Sequence, residues 1–136
     1  MGQLVSRRRG GVAAVEFAII VPLLMLVLAS IVVWGGWLWL AQGVQSLASE
    51  SARAALGGLD ATERRSLARA YVADQGEAVV GLPAERAVVD VTSNSSVIRV
   101  DVRYDVAGHP ILILSSLTPS PPQVITRTAI IRTGGY

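Results

Sequence analysis

Glu16 is the residue with the most chemistry to offer. It stands as a lone carboxylate in an otherwise uncharged stretch from Gly10 to Ser49, directly after Arg7, Arg8, Arg9, Gly10 and Gly11. A bare acid in a membrane segment costs roughly 2.5–3.5 kcal/mol at a helix centre on insertion scales, which argues for a function. The order basic run, glycine, four small or apolar residues, glutamate, aromatic, apolar helix has a physical rationale. It suits a chain cut after the glycine, whose new amine is then neutralised by the glutamate in the same apolar surroundings. The plainer alternative is a carboxylate sitting wet at the inner membrane interface. Phe17, beside it, reads as a packing residue.

Other reactive side chains do not assemble into a site. His109 is the sole histidine and cysteine is absent, which leaves a metal site dependent on several converging carboxylates and excludes thiolate catalysis. Asp101, Asp105, Arg99 and Arg103 could be drawn together as an acid–base set, but their alternation places them on one solvated strand face. No serine sits in a nucleophile elbow and no phosphate-binding glycine motif occurs. The sequence therefore reads as non-enzymatic, with no cofactor.

An apolar rod must position Glu16. Phe17–Ala41 is 25 residues without a charge, interrupted by Pro22, Ser30, Gly35 and Gly36. At ~1.5 Å per residue it can span a bilayer as a helix. Trp34, Trp37 and Trp39 cluster at its far end, where indoles favour the membrane–water interface. Arg7, Arg8 and Arg9 precede the span, so the positive-inside rule puts the N-terminus in the cytoplasm and the remainder outside. Pro22 lacks the N–H that would bond Ala18 and should bend or loosen the helix. A secretory signal cleaved near Ala29 is the main rival, but it would leave Ile31–Leu40 as an apolar mature start.

Beyond the span, Ala41, Val44, Ala48, Ala52 and Ala55 continue a small apolar stripe at helical spacing. Gly57-Gly58 should end this helix through a left-handed cap. Asp60 then reads as an N-cap and Glu63 as its capping-box partner, starting a second helix through about Ala78 with Leu67, Ala70, Tyr71 and Ala78 on its buried face. From residue 86 the period changes to two. Ala87, Val89 and Val91 form one strand, Ser93–Ser96 a turn, and Ile98, Val100, Val102, Tyr104 and Val106 a second strand. A third strand is expected from Val124 to Arg132, after the apolar patch Ile111–Leu114 and the loop Thr118–Pro122. The expected fold class is α+β: a long N-terminal transmembrane helix and a second helix packed on a small antiparallel sheet of about three strands. The expected divisions are a basic leader at 1–11, a transmembrane helix at 12–41 and an extracytoplasmic domain at 42–136.

Charge narrows the partners. All 12 basic side chains are arginine, and without the three before Gly11 nine stand against 10 acids. The basic character belongs to the leader, so nucleic-acid binding is not expected. The outer portion, lacking disulfides, must be held by packing or by partners.

With these residues in view, the chain resembles the TadE-like minor pilins, or pseudopilins, of tight-adherence (Flp) pilus systems, within the wider type IV pilin superfamily. The resemblance rests on Arg9-Gly10-Gly11-Val12-Ala13-Ala14-Val15-Glu16-Phe17-Ala18 followed by Pro22-Leu23-Leu24. It covers roughly residues 7–60; the cysteine pair that many relatives carry in the outer domain is missing. The residues alone leave Gly10 and Gly11 equivalent as cleavage sites. The family spacing, with glutamate fifth in the mature chain, implies cleavage between Gly11 and Val12. It further implies a prepilin peptidase, other pilins or pseudopilins and the pilus assembly machinery as partners, together with membrane lipid. It implies a single-pass protein of the bacterial inner membrane that enters a pilus after processing, with registry set by Glu16 and Phe17. The competing readings are an uncleaved, membrane-anchored envelope scaffold and, further off, a secreted binding domain.

Overall fold

The structure, a computed structural model, describes residues 6–134, with side chains described from Gly11 onward. The expected leader contacts of Arg7, Arg8 and Arg9 therefore lie outside the described residues. The elements run α1 (Ser6–Ala55), α2 (Ala61–Val80), β1 (Ala87–Ser93), β2 (Val97–Asp105) and β3 (Val124–Arg132), with short 3-10 segments at Ala84–Arg86 and Pro110–Ser116. The strands form an antiparallel meander in the order β1-β2-β3, so the α+β expectation holds.

α1 is one helix of 50 residues with Pro22 inside it. Its apolar stripe serves two environments. From Gly11 to Leu28 every side chain is exposed or, at Val21, half-exposed. From Val33 onward one face is covered: Val33, Leu40, Ala41, Val44, Leu47, Ala48, Ala52 and Ala55 are all buried. The small residues allow close approach; a Cβ on Gly43 would lie 3.1 Å from Val79 Cγ1. The buried hydroxyl of Ser51 donates to the Ala48 carbonyl at 3.0 Å, which offsets the cost of burying it.

The helix ends at the expected place by a different device. Neither Gly57 nor Gly58 has positive φ; that conformation occurs at Gly81 and Gly108. Instead the last turn tightens through i→i+3 bonds from Leu56, Gly57 and Gly58 to Arg53, Ala54 and Ala55. Gly58 is needed for space, because a Cβ there would sit 2.6 Å from the Arg64 nitrogen. The left-handed glycine cap belongs to α2, at Gly81 with φ 76°.

α2 starts as expected. Asp60 Oδ1 accepts from the Thr62 and Glu63 amides, each at 2.8 Å. Glu63 reaches back to the amide of Leu59, one residue before the cap. Its buried face differs from the expectation: Ala68, Val72, Gly76 and Val80 are buried, Leu67 and Tyr71 half-buried, and Ala70 and Ala78 exposed. The closest approach takes the smallest side chains. Gly76 lies beneath Tyr104, whose hydroxyl donates to the Leu82 carbonyl at 2.7 Å. Burial, reinforced by Glu77 and Glu85, raises the pKa of that phenol and keeps it a donor.

The sheet alternates cleanly on its central strand, with Ile98, Val100, Val102 and Tyr104 buried. Both edges are occupied by helix side chains. Arg69 donates to the Val89 carbonyl at 3.2 Å, and Gln45 to that of Thr128 at 3.4 Å. Such contacts blunt edges that would otherwise template further pairing.

The Ile111–Leu114 patch is a 3-10 segment packed on α1. Ile111 fills the space left by Gly36, where a Cβ would stand 2.5 Å from Ile111 Cγ1. Gly36 is thus an intramolecular seat. Beside it Trp37 Nε1 donates to the Pro122 carbonyl at 2.8 Å.

Candidate processing and assembly segment

The segment that carries the expected chemistry is the free end of α1. Gly11, Val12, Glu16 and Phe17 lie on a helical backbone with their surroundings open, and Phe17 is 69% exposed. A Cβ added at Gly11 meets nothing within 4 Å. Glu16 has no ion-pair partner among the described residues. Val12 and Glu16 stand one turn apart on the same face, and helical side chains lean toward the N-terminus. The Glu16 side chain therefore leans toward Val12 along the helix.

The three tryptophans divide their work. Trp34 and Trp39 are exposed, while Trp37 is half-buried and tied to Pro122. Trp34 meets Trp37 edge-on, with ring centroids 6.1 Å apart, a favourable arrangement for aromatic quadrupoles. Among the described residues, α1 is the one helix long and apolar enough to cross a membrane.

His109 and the charged face of β2 take structural roles. His109 Nδ1 accepts from the Ile111 amide at 3.1 Å, capping the 3-10 segment. Its Nε2 then carries the proton and faces the Val80 carbonyl at 3.0 Å. The imidazole thus pins the end of α2 to the 110–116 segment. The sequence held only a faint signal of this, a histidine between Gly108 and Pro110. A cleft of about 420 Å³ borders the same loop, lined by Gly108, Pro110, Ile113, Ser120 and Pro121. No group of three or more His, Asp or Glu residues converges among the described residues.

Arg99, Asp101, Arg103 and Asp105 share the outer face of β2, as their alternation requires. Arg99 Nε lies 3.0 Å from Asp101 Oδ2, and Thr128 also donates to Asp101. Across the sheet Asp101 faces Asp90. The bond from Arg99, followed by that from Thr128, holds the Asp101 carboxyl below its ordinary pKa against the opposing effect of burial.

A family model described as TadE-like protein matches residues 11–53. Over that segment, from the exposed glycine to the last turn of α1, the chain is similar to TadE-like proteins. No curated protein and no solved structure matches the chain.

Asp101→Asn tests the outer-face pair. A carboxyl with a lowered folded pKa adds stability above its unfolded value of ~3.9 and loses it as pH falls through the folded value. The variant should unfold at lower denaturant concentration than the parent at neutral pH. The two midpoints should converge below about pH 4.

Proposed function

We propose that the chain is a minor pilin-like structural subunit, processed by a prepilin peptidase and taken up during assembly of a Tad-type pilus. It is non-enzymatic in this reading. The leader lies in the cytoplasm, α1 crosses the inner membrane, and the α+β domain stands outside, able to meet pilins, other minor subunits or an adhesion target. The observation that carries the proposal is Glu16: one acid on an exposed apolar helix, five residues into the segment beginning at Val12.

Processing requires an extended backbone at the scissile bond, whereas Gly10, Gly11 and Val12 are helical in the precursor. Two adjacent glycines lower the cost of leaving the helix by about 1 kcal/mol each relative to alanine. The arginines hold this point at the inner surface, at about 1 kcal/mol per charge near anionic lipid. Cleavage then creates an ammonium at Val12. Its pairing with Glu16 of a neighbouring subunit neutralises both charges in apolar surroundings and favours one axial stagger.

The N-terminus of the membrane-associated protein from its native host should be Val12. Gly11→Ala should accumulate as uncut precursor, and because an added Cβ has open space the variant reports on the peptidase rather than on folding. Normal processing of Gly11→Ala would refute the assignment. Glu16→Ala should insert into the membrane normally. Its incorporation into pili should fall roughly tenfold or more, since removing one partner of a buried ion pair typically costs ~3–5 kcal/mol. Equal incorporation would remove Glu16 from any registry role.

A further inference from the structure

We propose that the segment from Pro110 to Leu117 is a second membrane contact, an interfacial foot resting on the outer leaflet of the bilayer that α1 crosses. The inference rests on α1 spanning a membrane, and it adds a lipid-binding surface within the outer domain. Its ligand is the headgroup–acyl boundary of a phospholipid bilayer.

Three observations converge on this segment. The first is composition: from Val106 to Thr126 the chain has no Asp, Glu, Lys or Arg. His109 within it is engaged through both nitrogens. The second is exposure. Ile113 is 78% and Leu117 60% exposed, although neighbouring Leu112 is buried. The fold therefore packs Ile111, Leu112 and Leu114 on its own core and leaves Ile113 outward.

The third is height along α1. Ile111 sits on Gly36, and the following loop is tied to Trp37. Burial along α1 begins at Ala29 and is complete at Val33. The helix from Val12 to Val33 rises about 31 Å, against a hydrocarbon thickness of roughly 30 Å. The underside of the domain thus meets the bilayer boundary at the 110–117 segment, with the exposed indoles of Trp34 and Trp39 at the adjoining level of α1. The backbone is suited to that depth. Amides of Ile111, Leu112 and Leu117 are bonded within the segment, to His109 Nδ1, the His109 carbonyl and the Leu114 carbonyl. Internally satisfied backbone is the condition for approaching hydrocarbon, and apolar side chains on a polar-capped segment are the means of interfacial binding.

The chain lacks cysteine, so single labels can be placed at will. Ile113→Cys, Arg103→Cys on the outer sheet face and Leu24→Cys in the middle of the span would each be labelled with an environment-sensitive fluorophore. The full chain would be reconstituted in phosphatidylcholine–phosphatidylglycerol vesicles. Aqueous iodide should quench the label at position 113 roughly threefold less than that at 103, and nitroxide-headgroup lipid should quench it more, as expected of an interfacial residue. Equal iodide quenching at 113 and 103, with 24 shielded, would overturn the foot and leave the span intact. Shielding of 113 from iodide without quenching by nitroxide lipid would also overturn it, pointing to a protein neighbour. Iodide access to position 24 would instead defeat the spanning reading on which the proposal rests.

Discussion

One face of α1 has to be two things at once: the continuation of an apolar rod and the floor of a folded domain. Val33, Leu40, Ala41, Val44, Leu47 and Ala48 satisfy both demands, since they extend the pattern of the free helix and are buried beneath the sheet and α2. Because the helix is continuous, whatever fixes the free end of α1 also fixes the domain. An axial stagger set at Glu16, as proposed, would be conveyed at ~1.5 Å per residue to Val33 about 26 Å away. Among the described residues α1 runs unbroken from Ser6 to Ala55, with Pro22 the one position inside it that lacks a backbone donor.

The price of sharing one helix is crowding, and small residues relieve it. Gly43 admits Val79, Gly76 admits Tyr104, and Gly36 admits Ile111. Close packing of this kind has to hold the domain without covalent cross-links, since the chain has no cysteine. The hydrogen bonds of Tyr104, Trp37 and His109 to the carbonyls of Leu82, Pro122 and Val80 then fix the loops on that packed centre.

Much of this could be read from residue order because period and local chemistry agree. The α1 stripe, the Asp60 cap and all three strands follow from spacing that tertiary contacts reinforce. The buried face of α2 was not legible, because its closest contact is made by Gly76, which carries no apolar signal. Helix termination at Gly57-Gly58 was placed correctly but for a reason of conformation, whereas the structure demands space beside Arg64. The seat of Ile111 on Gly36 joins residues 75 positions apart, and no local pattern announces such a pair. Of the candidate site, Glu16 stands out because a lone charge in an apolar run is visible without any fold, whereas only the family spacing separates Gly11 from Gly10. The two uses of the tryptophans were not, since the Trp37 bond depends on where Pro122 arrives.

The claim at the centre of the account is the continuity of α1 between its free and domain-bound parts, and hydrogen exchange in the reconstituted protein tests it most directly. The amides from Gly35 to Ala41 should exchange as slowly as those from Leu47 to Ala52, because a single hydrogen-bonded rod opens only with the domain. Rapid exchange confined to Gly35–Trp39, with protection retained on both sides, would reveal a hinge and contradict the account.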